Sequence, residues 1–354
     1  MKNINTTRNL IIQHYSVYPE MQVRDVFKFL YQSAFGCEHL VSSSDGVKEY
    51  IEREFAKVSP EAHATVEELD GNYCRVHLSY LNEGLSADTL AKLFIASAKK
   101  EDGLPSLKVK LDVVREMVEE KLLPFSVEEF ESALGAWEAE GYPAIRHSEA
   151  FREKYRPAYR VISKDLAVFL PLFAKLDKML EEGNVKIAIE GGSASGKTTL
   201  GGLLEKIYGC TVFHMDDFFL RPQQRTPERY AEIGGNVDRE RFLSEVLIPL
   251  SRGEDIEYRK FDCSVMDLGP VERVTPERLT VIEGAYSMHP DLAGYYDLSV
   301  FLDVSPEKQR ERILKRNGAD RAQRFFNEWI PLENKYFKGT DIESRCDLVI
   351  DISN

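Results

Sequence analysis

The stretch Gly191-Gly192-Ser193-Ala194-Ser195-Gly196-Lys197-Thr198 constrains this chain more than any other, because it fits G-x-x-x-x-G-K-[ST] in the setting where that pattern has a mechanism. It directly follows an apolar run at 185–190 that reads as a strand, and it opens a segment that reads as a helix. Glycines there let backbone N–H groups converge on phosphate oxygens, the helix N-terminus adds its positive dipole end, and Lys197 reaches the β- and γ-phosphates. Thr198 is the candidate magnesium residue, and Thr199 completes the nucleotide-binding set that runs from Gly191. The bare pattern is expected by accident in roughly one chain in a hundred of this length. Requiring a strand before it and a helix after it makes a ligand-free glycine turn the lesser reading.

The texture around the motif sets the fold class. From about residue 185, short apolar runs at 185–189, 211–213, 279–282, 298–302 and 348–352 alternate with amphipathic segments. Such alternation implies a parallel sheet covered on both faces, an α/β P-loop NTPase fold. Before it the period is helical, as in Val23, Val26, Phe27, Leu30 and Phe35, or Leu107, Leu111, Val114, Met117, Val118 and Leu122. Turn signals at 42–46, 70–72, 101–105 and 141–143 divide this part into seven or eight helices. Ser126 with Glu129 reads as a capping box opening a helix through Phe130, Leu134 and Trp137. With 354 residues the chain is long enough for two cores. The expected division is a mostly α-helical domain of unknown role at 1–182 and a P-loop domain at 183–354.

Charge and cysteines narrow the functional classes. A formal net charge of −13 argues against a nucleic-acid partner, which would call for a basic face. Five cysteines at wide spacings, without a C-x-x-C pair, read as reduced thiols. The first twenty residues lack an apolar leader core, and no later run approaches the length of a membrane span. A soluble, cytoplasmic protein without a membrane partner is expected, with a homo-oligomer left open.

Two acids beyond the loop complete a constellation. The strand at 211–213 runs into His214-Met215-Asp216-Asp217, placing carboxylates at the sheet edge where open α/β folds bind ligands. Asp216 is the candidate base that accepts a proton from an acceptor hydroxyl, against the plainer reading of a cap or solvated loop acid. The strand at 279–282 ends in Glu283-Gly284, where a carboxylate that organises magnesium belongs. Arg310, Arg312, Lys315, Arg316, Arg321 and Arg324 form a basic run on a helix opening near Ser305-Pro306. Such a helix would close over the phosphates and neutralise charge, although Glu307, Glu311 and Asp320 could pair with it on an ordinary exposed face. Arg312 and Arg316 lead that set. Arg225 and Arg229, in the polar segment 221–235, would receive an acidic or phosphorylated acceptor or else remain solvated. His289 is a further candidate contact, with a structural role the commoner outcome. In the helical half, the aromatic-polar clusters at 31–39 and 146–160 read first as core and second as a ligand pocket. Glu38 and His39 find no partner motif that would make them metal ligands.

Taken in order, Gly191 to Thr198, Met215-Asp216-Asp217-Phe218-Phe219, Gly235-Asn236-Val237-Asp238, the stretch from Tyr258 to Asp262, Val281-Ile282-Glu283-Gly284 and the run from Arg310 to Arg316 resemble the uridine kinase and phosphoribulokinase family over residues 185–354. The Asp-Asp-Phe-Phe stretch is also similar to that of nicotinamide riboside kinases. The resemblance implies a kinase using ATP and Mg2+, with Asp216 as base, Thr198, Asp216 and Glu283 at the magnesium site, and Asp238 on sugar hydroxyls. By itself Asp238 also reads as a helix N-cap. Phe261 stands where the family uses an aromatic residue to read the base, but the histidine that follows in uridine kinases is missing here. The expected acceptor is a nucleoside or riboside, with pantothenate or a sugar acid as alternatives. A nucleotide-controlled switch whose helical half recognises a partner is the rival class, and such a switch has no use for Asp216.

Overall fold

The computed structural model describes residues 2–37 and 46–353. These divide into two compact units, Met1–Asp177 and Lys178–Asn354.

In the first unit the helical period at 23–35 becomes the helix Val23–Phe35, which buries Val26, Phe27 and Leu30. The helix Leu104–Glu119 buries Leu107, Leu111, Val114, Met117 and Val118 as one stripe. Ser126 caps the helix Val127–Ala139, accepting from the Glu129 N–H at 3.1 Å, and Phe130, Leu134 and Trp137 form its buried face. Helical periodicity gave no sign of the small antiparallel sheet in this unit. Its strands are β1 (Val66–Glu68), β2 (Tyr73–His77) and β3 (Tyr159–Ser163), in that order. Arg75 on β2 lies opposite Glu67 and Val161. Its guanidinium is fully buried, bonded to Gln32 (2.8 Å) and Glu67 (3.2 Å) and stacked 4.7 Å above the Tyr159 ring. His147 bridges Asp25 (2.9 Å) and Tyr159 (2.7 Å) beside it and stacks on Phe151. Of the aromatic-polar cluster at 146–160, His147, Ser148 and Arg160 are therefore built into the core, while Arg146 and Arg156 are exposed. Glu38 and His39 lie outside the described residues.

The second unit is built on a five-stranded parallel sheet, ordered β10-β9-β4-β8-β5. Its strands are β4 (Val185–Gly191), β5 (Thr211–His214), β8 (Leu279–Glu283), β9 (Leu298–Asp303) and β10 (Leu348–Asp351). β8 is buried at every residue, as a strand covered on both faces must be. Phe213, Met215, Phe218, Phe242, Tyr258, Ile282, Tyr286 and Tyr336 share one apolar core against it. β6 (Ile256–Asp262) and β7 (Asp267–Val274) form a separate antiparallel hairpin. Among the described residues, no helix is long and apolar enough to cross a membrane.

Candidate active site

Three adjacent strands deliver the site. The register sets Glu283, the last residue of β8, level with Ile189 of β4 on one side and His214 of β5 on the other. The chain leaves β4 for β5, skipping the place that β8 later fills, while β9 joins the opposite edge of β4. This is a topological switch point, and the cleft at its carboxyl ends is where open α/β sheets hold ligands.

The loop from Gly191 to Thr198 lies in that cleft and caps the helix Lys197–Tyr208. Gly191 (φ +147°) has no room for a Cβ, which would meet the Leu302 carbonyl and Ser195 Oγ at 2.7 Å. Lys197 Nζ donates to the Gly191 and Gly192 carbonyls at 2.8 and 2.9 Å, which fixes its ammonium across the loop. Thr198 Oγ1 donates to Glu283 Oε1 at 2.9 Å, and the same oxygen meets His214 Nδ1 at 2.5 Å. That bond raises the His214 pKa above its ordinary value. The hydroxyl and carboxylate that sequence paired for magnesium thus touch.

Asp216 stands on a 3-10 turn directly after β5, exposed to the cleft. Loss of surrounding water raises its carboxyl pKa and Glu283 adds to the rise, while Lys197, His214 and Arg316 oppose it. The charges of Lys197, Glu283 and Arg316 therefore all reach the candidate base.

The helix Pro306–Arg324, capped by Ser305, breaks its line at Gly318 (φ +73°, ψ 168°). Its Ile313 and Ala322, with Phe325 immediately after it, pack against Ala194 of the loop. Gln309 Nε2 donates to the Ser193 carbonyl at 2.9 Å, and Arg312 bridges the carbonyls of Ala194 (3.3 Å) and Ile352 (2.9 Å). Arg316 stacks on Phe325, Arg310 on Phe326, and Arg324 pairs with Glu328. Arg312 thus grips the loop, and Arg316 is exposed, bonded to Asn317 and stacked on Phe325.

On the acceptor side, Asp238 is buried and acts as N-cap to Arg241 N (3.3 Å), while Gln224 Nε2 donates to its other oxygen at 2.9 Å. Phe261 packs edge-on to Phe219 and carries the Arg225 guanidinium 5.6 Å from its ring centre. Arg229 is a correction to the sequence reading. Its five N–H groups go to the carbonyls of Gly235 and Val237 and to Glu232 and Glu240. That side chain ties its own loop together and has no donor left for an acceptor. His289 likewise bonds the Ile233 carbonyl and stacks on Tyr336.

Sequence reasoning missed Glu190, His214, Gln309 and Glu333. Glu190 is fully buried at the end of β4 and accepts from the N–H groups of Gly191 (2.9 Å), Tyr286 (3.2 Å) and Met288 (3.1 Å) and from the Tyr336 hydroxyl (3.1 Å). Burial pushes its pKa up to about 7. His214 and Glu190 adjoin motifs already recognised, which is the one signal that could have drawn attention to them. Gln309 and Glu333 carry none.

Residues 186–325 match the model of the Phosphoribulokinase / Uridine kinase family. The chain is 30% identical, over 49% of its length, to the bifunctional alpha-galactosidase/sucrose kinase AgaSK of Mediterraneibacter gnavus, covering 21% of that protein. It is 27% identical to a uridine kinase of Chlamydia pneumoniae over 38% of this chain and 63% of that one. A solved structure from Bacillus stearothermophilus, described as a "Possible Uridine Kinase", superimposes on 51% of this chain and all of that one, with 22% identity and a TM-score of 0.39. The chain thus spans between a fifth and two thirds of the two curated relatives. Over residues 186–325 its second unit is thus similar to the phosphoribulokinase / uridine kinase family.

Proposed function

We propose that this protein transfers the γ-phosphoryl group of ATP to a hydroxyl of a small molecule. The observation that carries the reading is the convergence of Lys197, the Thr198–Glu283 pair and Asp216 at the ends of three neighbouring strands.

Each residue has a physical task. The loop N–H groups and Lys197 hold the β- and γ-phosphates. A hydroxyl and a carboxylate 2.9 Å apart are hard oxygen donors that suit Mg2+. Among the described residues no three His, Cys, Asp or Glu side chains gather into a metal site, so such a cation would fill its coordination shell with phosphate oxygens and water. When bound, Mg2+ would supply positive charge that offsets the charge of the phosphates. Asp216 orients the acceptor hydroxyl and takes its proton as the new O–P bond forms. ADP leaves with the electron pair of the broken bond, and Arg316 and Lys197 balance the charge that develops. A pure nucleotide switch needs the loop and the magnesium residues but gains nothing from Asp216.

The acceptor class is a nucleoside, riboside or other sugar-like polyol. Arg225 lies over the Phe261 ring and Gln224 bonds Asp238, which supplies an aromatic ring, a cation and a carboxylate on the acceptor side. The relatives named uridine kinase and sucrose kinase agree with that class. The test is acceptor-dependent ADP release by the full chain with Mg-ATP and a panel of nucleosides, ribosides, mono- and disaccharides, pantothenate and sugar acids. Stimulation by one class names the acceptor. Tight ATP binding with no stimulation by any of them would favour the switch.

A further inference from the structure

Glu333, on the helix Ile330–Thr340, places a carboxylate inside an anion-binding loop. Its Oε2 accepts from the Ser193 N–H at 2.8 Å and its Oε1 from the Ser193 hydroxyl at 2.6 Å. It is 6% exposed, and among the described residues these two donors are its polar partners, with no cation paired to it. A Cβ on Gly192 would come within 3.6 Å of Oε2, so the carboxylate lies flat against the loop. The charges of Lys197 and Asp216 both reach it, which puts it in the zone where the β- and γ-phosphates would sit.

A buried carboxylate without a cation is costly, and a loop whose N–H groups serve phosphate would not hold one there without consequence for phosphate. The triphosphate brings about four negative charges to the same donors.

We propose that Glu333 is a built-in competitor of the nucleotide's phosphates: its carboxylate holds the Ser193 N–H and hydroxyl, and phosphate binding drives that side chain off the loop while buried Tyr336 keeps the helix Ile330–Thr340 seated. This rests on the loop's being a nucleotide site. Trp329 ends the π-helical turn Phe325–Trp329, one helical turn before Glu333, and packs on Phe325, so it reports displacement of the Glu333 side chain.

The experiment is calorimetric titration of the full chain with Mg-ATP and with adenosine, using wild type, Glu333→Gln and Lys197→Ala. Removing one like charge from the phosphate zone should tighten Mg-ATP about tenfold and leave adenosine unchanged, because the contest is over Ser193 alone. Equal or weaker Mg-ATP binding by Glu333→Gln, or an equal gain for adenosine, overturns the proposal while leaving the nucleotide site intact. Wild-type Mg-ATP binding that is absent, or indifferent to Lys197→Ala, overturns both. A second readout needs no change at Glu333. In a Trp137→Phe background Trp329 is the sole tryptophan, and its emission should shift with Mg-ATP but not with adenosine. An unchanged emission under saturating Mg-ATP contradicts the displacement.

Discussion

Two residues at the root of the cleft illustrate how much depends on single positions. Glu190 carries a carboxyl whose folded-state pKa, about 7, lies above its ordinary 4.5 because burial penalises the charge. A group raised in this way favours the folded state below pH 4.5 and loses that contribution as pH climbs through 7. Urea midpoints of the wild type should therefore fall between pH 5 and pH 8, by the equivalent of about 3 kcal/mol at most. Glu190→Gln should flatten that trend even if it lowers stability overall, and an equally steep trend in the variant would remove Glu190 as its source. Gly284 turns the chain after the magnesium-type carboxylate at φ +146°, where a Cβ would strike Met215 Cβ at 2.5 Å. Gly284→Ala should cost about 2 to 4 kcal/mol in thermal unfolding. Met215 adjoins Asp216, so turnover should fall as well. The contacts of Glu190, Glu333 and Gln309 with the loop could not be read in the sequence. Ser193 and Glu333 are 140 positions apart, and no local pattern records such a pairing.

Among the elements, β4, β8 and β9 were legible because strands buried on both faces are continuous apolar runs, and the part-exposed edge strands β5 and β10 because they too are short apolar runs bounded by breakers. β2 was not, because Arg75 and His77 point into a buried polar network and read as surface residues. The hairpin β6–β7 alternates buried and exposed residues over a few positions only, as in Ile256, Glu257 and Tyr258. That leaves too little periodicity to separate it from a loop. The helix Pro306–Arg324 was legible through its Ser305-Pro306 start and its arginines, but its break was not, because one glycine inside a helical run is usually tolerated. Gly318 holds a backbone conformation essentially restricted to glycine. Gly318→Ala should straighten the helix and raise helicity in circular dichroism. The realigned Arg316 should then lose its place near Asp216, with kcat falling about tenfold or more. Unchanged kcat would mean that the break is not needed for closure.

For the whole molecule, the two units offer separate optical probes, Trp137 in Met1–Asp177 and Trp329 in Lys178–Asn354. Ligand that binds only the folded form stabilises the unit that holds it, by about 2.7 kcal/mol at a hundredfold excess over Kd. In Trp137→Phe, the thermal midpoint reported by Trp329 should rise with Mg-ATP, and the rise should vanish in Lys197→Ala. A midpoint indifferent to Mg-ATP would place nucleotide binding elsewhere. The measurement that tests the account most directly is steady-state ADP formation by Asp216→Asn with the best acceptor, alongside its Mg-ATP affinity. The account predicts kcat reduced by at least about a hundredfold with ATP affinity within about threefold of wild type. Turnover that survives the substitution would contradict Asp216 as the base, and with it the reading of this cleft as a site of phosphoryl transfer to a hydroxyl.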